Sequence, residues 1–251
     1  MPIALTRPVP SSLDDCELTH VERVVIDVDL ARQQHADYER TLTEVGCTVE
    51  RIAATDHLPD SVFVEDAALV FPEVAVITRP GAESRRPETA SVEAAVKQYR
   101  QIVRLTEPAT LDGGDVLTLG RRVFVGLSTR TNVAGVRQLR KLLEPFGYTV
   151  EGLRVAGCLH LKTAVTEVAP DAVVINPDWV DGELFGADVL TIDPAEPNAA
   201  NVLRIGDTII VPSAHARTAA RLAQIAQVRL VDVSELAKAE AGVTCCSLIV
   251  T

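Results

Sequence analysis

Five side chains in the 251-residue sequence could together hydrolyse a substrate through a thiol: Cys245, His160, Asp112 and the adjacent Glu65 and Asp66. A thiolate is a strong nucleophile, a histidine can protonate a leaving group, and a carboxylate can orient that histidine. Further carboxylates can hold a cation in place. Each residue also has a plainer reading. A cysteine in an apolar run is usually an inert filler. A histidine between leucines, as in "LHLK", is usually a satisfied core residue. "DGGD" alone is a turn signal, and "FVED" alone is a strand ending at a charged surface.

What separates these residues from their plain readings is phase. Glu65, Asp112, His160, Asn201 and Cys245 recur every 41 to 48 residues, each at the start of an apolar run: "VFVEDAALV", "LDGGDVLTL", "CLHLKTAVT", "AANVLRI" and "VTCCSLIV". The first four runs lead through a turn into a second strand-like run. Helical patterns follow in "ESRRPETASVEAAVKQY", "TRTNVAGVRQLRKLLEPFG" and "HARTAARLAQIAQ". The stretch 176–190 is a poorer helix, broken by Pro177, Gly182 and Gly186. Near the start, "VERVVIDVD" (21–29) reads as a strand, and "LARQQHADYERTLTEVG" (30–46) reads as a helix ending on Gly46. A period of 40–50 residues implies an array of like units. Five β-β-α-β units closed in a ring would bring the five phase residues together at the axis, so residues 1–251 are expected to form one α/β unit, a five-bladed propeller. Cys245 and Cys246 read as neighbours on a strand, so their side chains should take opposite faces, one to the site and one to packing.

Composition sets the bounds. The chain is 47% hydrophobic but only 4% aromatic, which favours α/β over an aromatic-rich sandwich. A net charge of -11 argues against nucleic acid as a partner and suits a cationic substrate. No apolar run has the length of a membrane span, and the first residues have no signal-peptide pattern. Five cysteines, an odd number without C-x-x-C, signal neither a disulfide framework nor a zinc ribbon. The expectation is a reduced, cytoplasmic protein.

The segments "DSVFVED" (60–66), "ITRPGAESRR" (77–86), "LDGGDVL" (111–117), "RTN" (130–132), "LHLK" (159–162), "AAN" (199–201) and "GVTCCSL" (242–248) resemble, in order, the motif series of the dimethylarginine dimethylaminohydrolase family. The likeness runs from about Leu18 to the end. That family lies in the guanidino-group-modifying, or pentein, superfamily of five-bladed β/α propellers. The resemblance implies hydrolysis of N-omega-methylated arginines to citrulline and a methylamine, without metal or organic cofactor, although zinc could occupy such a site as an inhibitor. It implies Cys245 as nucleophile, His160 as general acid and base, and Asp112 as the acid that holds the histidine. It assigns Asp66 and Glu65 to the guanidinium, and Arg85 and Arg130 to the substrate α-carboxylate. Asp60 and the backbone of Leu18, in the lid "SSLDDCELTH", fall at the α-amino end. The implied partner is a small guanidino amino acid, bound by a monomer or homodimer.

One stretch departs from the pattern. Before "GVTCC" the family usually has an aliphatic residue and then Asp-Gly, whereas this chain has Ala239-Glu240-Ala241. Glu240 therefore replaces that acid with a longer reach, or the pocket differs. Two other readings stand beside the hydrolase of methylated arginine: an arginine deiminase-like hydrolase of another guanidine, and a non-catalytic binding protein on the same fold.

Overall fold

The computed structural model describes residues 1–251. Its strands form five three-stranded sheets of one design. They are β3 (Ala68–Val70), β4 (Val74–Ile77) and β5 (Gln101–Arg104); β6 (Val116–Leu119), β7 (Arg122–Leu127) and β8 (Thr149–Arg154); β9 (Val165–Ala169), β10 (Ala172–Ile175) and β11 (Asp188–Thr191); and β12 (Leu203–Ile205), β13 (Thr208–Pro212) and β14 (Gln227–Val231). The fifth joins the ends of the chain: β15 (Leu248–Val250) pairs with β1 (Ile3–Thr6), and β1 pairs with β2 (Thr48–Arg51). In every sheet the first pair is antiparallel and the second parallel. The parallel step needs a crossover. It is made by α1 (Val28–Glu44), α2 (Thr89–Val96), α3 (Val133–Leu143) and α5 (Ala216–Leu222) in four blades. In the β9–β11 blade only a 3-10 turn, Gly182–Phe185, lies in the crossover, as the breakers in 176–190 suggest.

The residue pattern explains the layering. The middle strands β4 and β10 are buried at every position, so both faces are apolar. The outer strands β2, β5 and β11 are largely exposed. The inner strands β3, β6, β9, β12 and β15 all contribute to the wall of a central cavity of about 240 Å³, which places their N-terminal approaches side by side.

Two local expectations are corrected. Residues 21–27 form no strand. The alternating valines are misleading because Val21, Val24 and Val25 are exposed. The middle place in that blade is taken by β1, between β15 and β2, so the segment has no sheet edge to join. It ends at Asp27, whose carboxylate accepts the Leu30 amide and caps α1. The phase residues also do not sit on strands. Glu65 lies in a 3-10 turn (Val64–Ala67) before β3, and Asp112 caps another (Gly113–Asp115) before β6. His160 caps the single turn α4 (Leu161–Ala164) before β9, and Cys245 and Cys246 lie in a turn before β15. The repeat therefore places five short turns, not five strand starts, around the axis, and strand alternation does not separate the two cysteines.

Candidate active site

The turns bring Asp66, Asp112 and His160 together, with ligating atoms within 4.8 Å of one another. The imidazole Nε2 lies 3.1 Å from Asp112 Oδ2. The double glycine makes this approach possible. A Cβ on Gly114 would fall 2.6 Å from His160 Nδ1, and one on Gly113 would fall 2.0 Å from the Glu65 carbonyl. The Gly114 amide also donates to Asp66 Oδ1 at 2.8 Å. Asp115, the second acid of "DGGD", is fully buried, accepts the Leu161 amide at 3.0 Å and the Ser128 hydroxyl at 2.6 Å, and so anchors the histidine turn. Burial pushes Asp115 up to about 6, against the pull of His160.

The nucleophile turn is anchored separately. The Glu65 amide donates to the Cys245 carbonyl at 3.2 Å. Glu65 Oε2 accepts Thr244 Oγ1 at 2.8 Å and its other oxygen accepts Lys162 Nζ at 2.5 Å. Asn201 brackets Thr244, accepting its amide and donating to its hydroxyl. The Gly242 amide points at Cys245 Sγ, 3.4 Å away. Cys246 goes elsewhere: it is fully buried, and its Sγ lies 3.8 Å from the Gly242 carbonyl. Beside it the Tyr38 hydroxyl bonds the Val243 carbonyl and Ser247.

Electrostatics divides the roles. Burial disfavours a protonated His160, but Asp66, Asp112 and Asp115 outweigh it and raise the imidazole to about 9. It is therefore an imidazolium at neutral pH. Asp66 is opposed by burial, yet His160 and Arg85 hold its carboxyl well below the usual range. Burial, with Glu65 and Asp66, pushes the Cys245 thiol up to about 12, so it is protonated before a substrate cation binds.

The remaining candidates split into two groups. Arg130 is buried, and its side chain has one partner, Thr19 Oγ1 at 3.2 Å. Asp60 is buried and accepts the Glu17 amide on Oδ2 at 3.1 Å. Leu18, half-buried, lies between these two tethered neighbours. These three frame the lid side. Arg85 is not open in this way: its guanidinium reaches Asp66 Oδ2 at 2.6 Å, both oxygens of Glu88, and the carbonyls of Asp60 and Phe63. Glu65 is likewise committed to Lys162 and Thr244, on the side of the central cavity. Sequence reasoning missed Lys162, Thr244 and Asp115. The second acid of "DGGD" and the threonine of "GVTCC" were the available signals.

A ring of five blades with a thiol, an imidazole and carboxylates on its axial turns defines a pentein of the guanidino-group-modifying kind. The arginine deiminase family profile matches residues 11–198. The N(G),N(G)-dimethylarginine dimethylaminohydrolase of Streptomyces coelicolor is 44% identical over 98% of this chain and 95% of its own length. That of Pseudomonas aeruginosa is 33% identical over 96% of each. The fold matches a cysteine-to-serine variant of the P. aeruginosa enzyme complexed with citrulline, with a TM-score of 0.93 at 32% identity and 98% coverage of both chains. The N-terminal domain of the cyanobacterial arginine dihydrolase ArgZ shares the fold at a TM-score of 0.90 and 20% identity, over 100% of this chain and 98% of its own. The chain belongs to the arginine deiminase family, within its dimethylarginine dimethylaminohydrolase branch.

Proposed function

We propose that this protein hydrolyses N-omega-methylated arginine to L-citrulline and methylamine or dimethylamine through a covalent adduct on Cys245. The observation that carries this reading is the gathering of Asp66, Asp112 and an imidazolium next to the turn of a protonated, buried thiol. The acids suit a planar cation, and the thiol needs one. When the guanidinium docks, its charge offsets Glu65 and Asp66, and Cys245 loses its proton to solvent. The thiolate adds to the guanidinium carbon. His160 gives its proton to the methylated nitrogen, the C–N bond breaks, and the amine leaves. A thiouronium remains, with sulfur bound to carbon. Neutral His160 then takes a proton from water, hydroxide adds to the same carbon, and the C–S bond breaks to release citrulline.

At the far end of the substrate, Arg130 supplies a buried cation without a carboxylate partner, suited to the α-carboxylate. The free oxygen of Asp60 and the Leu18 carbonyl suit the α-ammonium. Arg85 acts through Asp66, which it holds ionised together with His160, and Glu65 acts by holding the nucleophile turn. All five cysteines are free and buried, in keeping with a reducing cytoplasm. No helix is long and apolar enough to cross a membrane. The same unit acts as a monomer or homodimer on a small-molecule substrate.

The test is a citrulline assay on a panel of guanidines, with the released amine identified. Dimethylarginine should yield dimethylamine and citrulline. Cys245→Ser should abolish the product, and Cys246→Ser should retain most of it. Ammonia from arginine with no dimethylamine would assign the chain a deiminase activity instead.

A further inference from the structure

The reacting groups are nearly sealed: Asp112, Asp66, His160 and Cys245 are all buried. Residues 16–27 lie without regular structure, and their two ends are tied by ordinary means. Asp60 holds the Glu17 amide, Ser84 donates to the Glu17 carboxylate, and Lys238 donates to the Val25 carbonyl. At the middle of the segment Arg130 reaches the Thr19 hydroxyl, and a second side chain grips the backbone itself. The Glu240 carboxylate takes two successive lid amides, Thr19 on Oε2 at 2.6 Å and His20 on Oε1 at 2.5 Å. These are charge-assisted bonds, stronger than neutral ones. Both oxygens point at backbone, so the grip is independent of the lid's side chains.

Glu240 is also one of two non-glycine residues with positive φ, at +57°. A glutamate in this region is disfavoured, and such strain persists where surrounding contacts require it. Two residues on, the Gly242 amide points at Cys245 Sγ, and a Cβ at Gly242 would strike Asn201 Oδ1 at 2.1 Å. The segment that grips the lid is thus the segment that packs against the thiol. Glu240 also borders a cavity of about 300 Å³ beside the site, along with His20, Leu159, Trp179 and Gly242.

We propose that Glu240 is the latch of the lid: a positioning residue that holds the closed state by the Thr19 and His20 amides, and so sets how tightly substrate is retained. This deepens the proposed function and rests on it for the identity of the substrate. It also gives the Ala239-Glu240-Ala241 departure a purpose, since the longer side chain reaches the lid backbone.

Amide exchange at Thr19 and His20 in the unliganded protein tests it, comparing wild type with Glu240→Gln and Glu240→Gly. Gln keeps the shape but offers one acceptor oxygen, and its amine would face an N–H. Gly removes the carboxylate and relaxes the positive φ, so it should fold at least as well. Both variants should exchange these two amides about tenfold faster or more, while the Glu17 amide, held by Asp60, and the Ile26 amide, held by Asp14, change less. The melting temperature of the Gly variant should be unchanged or higher. With guanidine substrate, KM should rise about tenfold with kcat within about twofold, because only the closed fraction retains ligand. Glu240→Asp, which keeps the charge, should fall between. Unchanged exchange at Thr19 and His20 in the Gly variant overturns the latch, as does faster exchange with an unaltered KM. Exchange is read without substrate, so faster exchange without turnover of any guanidine would sink the proposed function and leave the latch standing.

Discussion

Arg85 and Arg130 are both buried, and the family resemblance gives both the same task, yet their surroundings are opposite. Arg85 sits among Asp66, Glu88 and two backbone carbonyls, and its charge is spent inside the protein. The Arg130 guanidinium forms no ion pair and has one hydrogen-bond partner, a threonine hydroxyl, with Asp60 near enough for its carboxyl to feel that charge. A buried cation is costly without a counter-charge, so the partnered arginine reads as framework and the unpartnered one as a place for a ligand anion. Glu65 and Asp66, adjacent in sequence, differ in what they hold rather than in being partnered. Glu65 neutralises Lys162 and ties down the nucleophile turn, while Asp66 pairs with Arg85 and lies at the imidazole.

That contrast can be broken most forcefully at the arginines themselves. Arg85→Ala would leave Glu88 as an uncompensated buried carboxylate and Asp66 with His160 as its one remaining counter-charge, a loss of about 3–5 kcal/mol, read as a melting temperature lower by roughly 10 °C. Arg130→Ala should leave the melting temperature within about 2 °C and raise KM for an amino acid guanidine by about 30-fold or more, as expected of a lost charged hydrogen bond. If the two substitutions gave the same profile, the division between framework and binding arginine would fail.

A smaller effect sharpens it through a group that titrates. His160 binds its proton more tightly in the fold than its ordinary value of 6.5, at about 9. Its contribution to stability is therefore complete below about pH 6.5 and is lost as pH rises through 9. Thermal unfolding followed from pH 6.5 to 9.5 should show a decline that His160→Asn largely removes. Activity should fall on the alkaline side near the same pH, as the imidazolium acid disappears. A flat stability profile in the unsubstituted protein would mean that the acids around His160 do not hold it protonated.

Much of this arrangement was legible in the sequence because phase is a one-dimensional signal. A recurrence of 41 to 48 residues located Glu65, Asp112, His160, Asn201 and Cys245 on one ring, and the chain-closing sheet of β15 and β1 completes it. What the sequence could not carry was partnership. Lys162 lies 97 positions from Glu65 and Thr244 lies 179 away, and nothing local marks either as a neighbour. The valines of 21–27 alternate like a strand because alternation records only which residues are apolar, and here the sheet position was already occupied. The two cysteines lie in a turn, so the pleat of a strand does not separate them: the Cys245 sulfur meets the Gly242 amide and the Cys246 sulfur the Gly242 carbonyl.

The central claim is that Cys245 carries the substrate carbon during turnover. The direct measurement is an acid quench of the enzyme reacting with dimethylarginine, followed by peptide mass analysis of the C-terminal segment. The account predicts an adduct equal to substrate less dimethylamine on Cys245, present in Cys246→Ser and absent in Cys245→Ser. An adduct on Cys246, or citrulline formed at full rate by Cys245→Ser, would contradict it.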